Sequence, residues 1–263
     1  LDAHQEDDHI DFYTERNLPE MLSAEGPRIA KADVNGDGRE DIYIGGAKGQ
    51  AGQLYLNTPA GLVRNKQAVF DQYADFEDVA VLFFDADGDG DADLYVGAGG
   101  NNAQPGSREL QHRLYLNDGK GQYSLASHAF PVNNTNISVA VPCDFDGDGD
   151  LDMFVGSRNT PYQYGVSPPS YLFVNDGKGH FTDATARLCP DLLQGGMITA
   201  AAWTDLDKDD IKELVLTGSW MQPRIFQYKK EKAVFEEWKQ TGLQNLHGWW
   251  QSLAAADLNG DGL

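Results

Sequence analysis

From residue 28 onward, short apolar runs alternate with polar, glycine-rich turns, and no segment sustains the 3.6-residue apolar period of a long helix. Four runs open on an acid and close on glycine or its neighbour: "DIYIGG" from Asp41, "DLYVGA" from Asp93, "DMFVGS" from Asp152 and "ELVLTG" from Glu213. Their apolar residues face both ways, Ile42 and Ile44 against Tyr43, Met153 and Val155 against Phe154. Such strands are covered on both sides. A second set of runs follows, "QLYLN", "RLYLN", "YLFVN" and "RIFQY", and two of these pass through "NDGKG" into "QYSLAS" or "HFTDAT". Asn-Asp-Gly between apolar runs predicts a hairpin, because Asn and Gly accept the positive φ of the turn. A third set precedes each acidic stretch: "RIAKAD", "AVLFFD", "VAVPCD", "TAAAWTD" and "SLAAAD".

The pattern is a repeat. "DVNGDGRED" from Asp33, "DADGDGDAD" from Asp85, "DFDGDGDLD" from Asp144 and "DLDKDDIKE" from Asp205 share one register, and "DLNGDGL" from Asp257 begins it again; successive starts lie 52, 59, 61 and 52 residues apart. Periods of this size mark stacked supersecondary units. Each unit reads as four antiparallel strands with the acidic loop joining the first to the second. Sheets that are apolar on both faces must stack on one another, and radial stacking gives an all-β fold, a β-propeller of four-stranded antiparallel blades. The predicted blades are 28–78, 79–137, 138–198 and 199–247, with 248–263 supplying the first strand and partial loop of a fifth. Because repeat arrays need completed ends, the pattern predicts a parent with more blades than these. Residues 1–27 lack the loop, and "HIDFYTE" within them reads as a strand of a neighbouring or closing blade.

In the loop, alternate side chains converge while glycine permits the bend. The expected ligands are Asp33, Asn35, Asp37 and Asp41 in the first loop, Asp85, Asp87, Asp89 and Asp93 in the second, and Asp144, Asp146, Asp148 and Asp152 in the third. Asp205, Asp207, Asp209 and Glu213 follow in the fourth, and Asp257, Asn259 and Asp261 in the incomplete fifth. The seventh residue of each loop, Arg39, Asp91, Asp150 or Ile211, would lend its backbone carbonyl. An oxygen-only cage of this kind suits calcium, about one ion per complete loop; magnesium demands a stricter octahedron, and no His or Cys recurs to suit a softer metal. A helix-flanked calcium hand would need Glu at position twelve, where this chain has Ile44, Val96, Val155 and Leu216. That excludes a helical sensor. The fourth loop is the weakest, since Lys208 and Asp210 replace glycines and Glu213 replaces Asp.

Charge sharpens the picture. The net charge of −21, with 41 acids against 20 Lys and Arg, opposes nucleic acid and anionic membranes as partners, whereas bound cations would relieve it. No apolar run approaches the length of a membrane span and no signal-peptide pattern opens the chain, which begins at Leu1 and so reads as processed or excised. Cys143 and Cys189 make no framework, and two free buried thiols are expected.

The loop "DFDGDGDLDMFVG" followed by "LFVNDGKGHFTDAT" resembles the FG-GAP or VCBS repeats of integrin α-subunit propellers, of bacterial surface proteins and of the cartilage acidic protein family. The resemblance covers residues 28 to 263. It implies a propeller, often of seven blades, with structural calcium in the loops, an extracellular, cell-surface or periplasmic location, and adhesion, ligand binding or carbohydrate-related work.

Strand alternation puts the acidic loops on one rim and the variable insertions, 97–112, 156–170 and 218–224, on the other. Recognition resides in such loops over a rigid scaffold. Tyr162, Tyr164 and Trp220 offer stacking surfaces there, and Arg108, Arg158 and Arg224 offer anchors for an acidic or hydroxyl-rich ligand, a protein or a glycan. Each also has a plainer reading, a loop residue packing on its own blade. Trp249 and Trp250 read as packing between blades, and His112, His128, His180 and His247 as isolated surface residues. Asn133 and Asn136 head glycosylation sequons. No catalytic constellation stands out: there is no nucleophile elbow, zinc-helix motif or phosphate loop. The expected function is therefore a non-catalytic binding module, with a polysaccharide-acting lyase or hydrolase and a passive scaffold as the alternatives.

Overall fold

The computed structural model describes residues 2–257. Four antiparallel sheets follow one another along the chain. The first holds β1 (Ile29–Ala32), β2 (Asp41–Ile44), β3 (Gln53–Thr58) and β4 (Gly61–Asn65); the second holds β5 (Asp78–Phe84), β6 (Asp93–Ala98), β7 (Arg113–Asn117) and β8 (Tyr123–Leu125). The third is β9 (Asn136–Cys143), β10 (Asp152–Asn159), β11 (Tyr171–Asn175) and β12 (Phe181–Asp183), and the fourth β13 (Met197–Thr204), β14 (Glu213–Met221), β15 (Arg224–Lys229) and β16 (Val234–Glu237). Within every sheet the strands pair in sequence order, so each is a simple meander.

Stacking explains the two-faced strands. Along β6, Leu94 and Val96 join Tyr43 and Leu54 of the first sheet in one core, while Tyr95 turns the other way to meet Met153, Val155 and Phe173 of the third. Along β10, Met153 and Val155 face the second sheet and Phe154 faces Leu214, Leu216 and Phe226 of the fourth. The strand period of two thus feeds a separate core between each pair of neighbouring sheets. This is the blade packing of a β-propeller, and every residue of β6 and β10 is buried.

The first strands converge on the axis. Residues 28–29, 79–81, 138–140 and 199–201 line a common cavity of about 300 Å³ together with Gln251, Ser252 and Leu253. Side chains tie neighbours to each other around it: Arg28 Nε donates to the Val79 carbonyl (3.1 Å), Ser138 Oγ to that of Ile198 (2.6 Å) and Thr199 Oγ1 to that of Trp250 (2.6 Å). The expected fifth first strand, "SLAAAD", does not form a strand; the pairing nearby is β17 (Gly248–Trp249) against β14. In the other blades the ladder partner of that strand follows the acidic loop, and the described residues contain no such partner for 251–256.

Residues 2–27 differ from expectation. "HIDFYTE" contains a single 3₁₀ turn, Asp11–Tyr13, and no strand. Acids of the 2–27 segment serve the insertion rim instead, with Leu18 and Leu22 buried: Glu15 accepts from Asn101 Nδ2 (2.9 Å) and the Tyr164 amide (2.5 Å), and Glu20 and Glu25 both pair with Arg158. Cys143 and Cys189 are free buried thiols in the core between the third and fourth sheets. Both sequon asparagines, Asn133 and Asn136, are buried and hydrogen-bonded, so the folded state offers neither to a glycan. Among the described residues no helix is long and apolar enough to cross a membrane.

Phe154, fully buried between two blades, is the sharpest test of this packing. Phe154→Ala should lower the unfolding free energy by about 3–5 kcal/mol in a denaturant titration, the range for a large-to-small change in a packed core.

Candidate metal centres

Each acidic loop is organised by its first residue. Asp85 accepts the amides of Gly88 (2.8 Å) and Gly90 (3.1 Å), Asp144 those of Gly147 (2.8 Å) and Gly149 (3.1 Å), and Asp33 those of Asp37 (3.1 Å) and Gly38 (2.7 Å). Asp205 repeats the pattern with Lys208 (2.8 Å) and Asp210 (3.0 Å). Positions four and six of all four loops have positive φ, and in the fourth loop Lys208 (62°) and Asp210 (65°) adopt the same left-handed conformation that glycine adopts elsewhere. The backbone is conserved across the repeats at the cost of steric strain in this copy.

The ninth residue lies deepest. Asp41, Asp93, Asp152 and Glu213 begin their second strands and are essentially inaccessible to solvent. One carboxylate oxygen accepts the amide of loop position two: Val34 to Asp41 (3.0 Å), Ala86 to Asp93 (2.9 Å) and Leu206 to Glu213 (2.7 Å). In the first three blades another bond comes from the Asn amide that ends or nears the end of the third strand: Asn57 to Asp41 (2.7 Å), Asn117 to Asp93 (2.8 Å) and Asn175 to Asp152 (3.0 Å). This acid therefore fastens the loop to both strands beside it.

First, third and ninth carboxylates converge. Asp85, Asp87 and Asp93, then Asp144, Asp146 and Asp152, then Asp205, Asp207 and Glu213 each bring three oxygens within 4.8 Å of one another. Asp87 Oδ1 and Asp152 Oδ2 are buried with no hydrogen-bond partner, as expected of oxygens reserved for a cation. Burial, and then repulsion from neighbouring acids working against the amide bonds, pushes Asp93 up to about 6 and Asp152 up to about 7, and raises Asp87, Asp146 and Glu213 in the same direction. Three clusters of hard oxygen ligands that resist ionisation together are suited to hold metal ions.

The fifth-position acids also brace the loop, and the charges of Asp89, Asp148 and Asp209 bear on the cluster acids Asp87, Asp146 and Glu213. Asp89, Asp148 and Asp209 accept the amide of position seven (2.9, 3.0 and 2.9 Å). In the first loop Asp37 does the same for Arg39 (3.0 Å) and also pairs with its guanidinium; with Asn35 at position three, that loop assembles no three-acid cluster. Asp257 is exposed, and Asn259 and Asp261 lie outside the described residues.

A tie between blades went unread in the sequence. Asn117 Nδ2 donates to the carbonyl of Val34 in the preceding loop (2.8 Å), and Asn175 Nδ2 to that of Ala86 (2.8 Å). At the corresponding place in the fourth blade stands Tyr228, which meets Phe145 of the third loop ring to ring (6.4 Å). The signal was visible: "YLN" and "FVN" close three of the four third strands.

Of the proposed rim residues, Arg158 is 5% exposed and committed to Glu20 and Glu25, and Arg224 is paired with Glu237 (2.8 Å). Acids of the same chain neutralise these two arginines, so they are not open anchors. Arg108 is exposed and lies over the rings of Tyr73 and Phe76. Tyr162 has φ 64° and Trp220 φ 60°. Trp220 is 62% exposed, bonds Tyr164 Oη through its indole N–H (3.1 Å) and stacks on Trp249 at 5.4 Å. Trp249, at 40% exposure, is thus a surface residue rather than packing between blades. His112 likewise departs from a surface role: its ring sits among Tyr95, Phe130 and Phe173, and burial pushes it down to about 3.

Relieving the strain in the fourth loop should be measurable. Lys208→Gly with Asp210→Gly should raise the unfolding free energy by about 1 kcal/mol, the steric cost of left-handed non-glycine residues less the added chain entropy. Differential scanning calorimetry would show it; a lower Tm would contradict the strain reading.

No curated protein matches the chain. The FG-GAP-like repeat matches at residues 33–96, 103–155, 144–216 and 205–263, and three of these segments start on the first aspartate of an acidic loop. With the stacked four-stranded blades and the repeated oxygen clusters, that coverage makes the chain a member of the FG-GAP-like repeat family.

Proposed function

We propose that this protein is a calcium-stabilised propeller module that works outside the cytoplasm and binds a protein or glycan through the rim opposite its metal loops. Calcium is the ion that the ligand chemistry favours: oxygen donors alone, mostly carboxylates, a flexible glycine-rich frame and several sites per chain. Extracellular modules bind it at about 10⁻⁴ to 10⁻³ M, which matches a calcium-rich compartment. The ions act as staples between the first two strands of each blade, holding rather than switching.

The observation that carries the binding role is the aromatic platform on the insertion rim. Trp220 and Trp249 stack in the open, and Tyr164, whose amide and carbonyl are held by Glu15 (2.5 Å) and Asn17 (3.3 Å), receives the Trp220 indole N–H. Bulky residues at positive φ are strained, and strain of this kind concentrates at ligand sites. Rings held flat and partly dry favour stacking against sugar or side-chain faces. The charge of −21 selects against polyanionic partners.

Glycan and protein arrays probed with the calcium-loaded chain test the binding role. Specific binding that Trp220→Ala removes, with Tm nearly unchanged, supports it. New reducing or unsaturated ends would establish the enzymatic alternative, and no binding at all would leave a scaffold.

Acidity tests the metal role separately. The raised carboxylates at positions three and nine favour the protonated folded state, so their contribution to stability is full below the unfolded value of 3.8 and is lost as pH rises through about 6 for Asp93 and about 7 for Asp152. With EDTA, Tm should therefore fall between pH 5 and pH 8. Calcium needs the deprotonated oxygens, so its addition should raise Tm more at pH 8 than at pH 5. Equal calcium effects at both values, or none, would count against the cages.

A further inference from the structure

A second cavity, of about 360 Å³, opens on the outer part of the insertion rim of the second blade, walled by Tyr73, Phe76, Arg108, His112, Arg113 and Phe130. Its size suits one or two sugar rings, at the small end of ligand pockets. In a chain with 41 acids, none lines it. Its two arginines differ. Arg113 is buried within the wall, neutralised by Asp78 (2.5 Å) and packed 4.4 Å from the Phe76 ring centroid. Arg108 is exposed: Nη2 donates to the Gln72 carbonyl (2.9 Å), and the Glu109 carboxylate next to it in the chain feels its charge without forming a salt bridge with it. Its guanidinium is held 5.0 and 5.1 Å from the Tyr73 and Phe76 centroids, so the fork is fixed before any ligand arrives.

The rest of the wall favours a ring with hydroxyl groups. Phe130 is stacked on Phe181 (4.5 Å, 12°) and presents a rigid apolar side. His112 is neutral and bonded to Tyr95 (2.7 Å), so it adds no charge. Ser127 and His128 line the cavity and are exposed, and His128 holds φ 63°, a strained conformation for a residue with a side chain. One fixed cation, an apolar side and exposed hydroxyl and imidazole groups make a consistent set of ligand contacts.

We propose that this cavity is a subsite for a uronic acid residue, with Arg108 as partner of its carboxylate, Phe130 against its C–H face, and Ser127 and His128 beside its hydroxyls. A single charge is the match, because the net charge of the chain repels polyanions while the cavity offers one open cation. The site is separate from the Trp220 platform and does not depend on it.

Calorimetry of the calcium-loaded full chain with glucuronate, glucose and benzoate tests this. Glucuronate should bind saturably in the millimolar range, with glucose and benzoate each at least about tenfold weaker, a difference of about 1.4 kcal/mol. Arg108→Gln should weaken glucuronate at least about tenfold. Val132→Trp, placed at an exposed residue of the mouth, should block binding by filling it, and it decides the matter if the first variant misfolds by circular dichroism. The proposal is overturned by absence of saturable glucuronate binding, by equal binding of glucose or benzoate, or by unchanged binding in the folded variants.

Discussion

A carboxylate buried at the start of every second strand is the constraint around which this fold is arranged. An unpaired buried charge costs several kcal/mol, so such a residue persists only where donors or cations meet it. Asp93 shows how: its two oxygens accept the amides of Ala86, in the loop, and of Asn117, at the end of the third strand. One side chain thereby sets the loop against two strands, and it faces Asp85 and Asp87 across a gap of atomic size. The same Asn117 then reaches into the preceding loop at Val34, which carries the constraint from one blade to the next. Acidic loop, blade and neighbouring blade are one hydrogen-bonded system.

The fourth blade marks how much variation that system tolerates. Glu213 reaches the Leu206 amide with a longer side chain, left-handed Lys208 and Asp210 stand in for glycines, and an aromatic contact between Tyr228 and Phe145 replaces the asparagine tie. The three oxygens still gather. Geometry survives where the cluster and the backbone are kept, even when the residues that usually make them easy are lost.

Much of this was legible in the sequence because it repeats. The loop register, the two-faced strands such as 153–155 and the absence of a twelfth-position Glu fixed the blade and excluded a helical sensor. What the sequence hid is tertiary. Arg158 looked like a free anchor, and only the fold brings Glu20 and Glu25 onto it from more than a hundred residues away. The 2–27 segment has no repeat to reveal its place, so "HIDFYTE" read as a strand when it holds a 3₁₀ turn and its Glu15 serves the rim. His112 carries no local sign of the aromatic pocket that encloses it. Local pattern reports local structure, and side chains that answer distant partners need the fold.

The arrangement also divides labour between the two rims. One is fixed by acids that hold the strands, and the other carries strained aromatic residues and the cavity beside Arg108. The central claim, that the converging acids are metal cages, is tested most directly by calcium stoichiometry in native mass spectrometry. At least three ions are expected on the intact chain, matching the clusters at Asp85, Asp144 and Asp205, and one fewer for each of Asp85→Asn, Asp144→Asn and Asp205→Asn. A chain that binds no calcium, or variants that lose none, would contradict it.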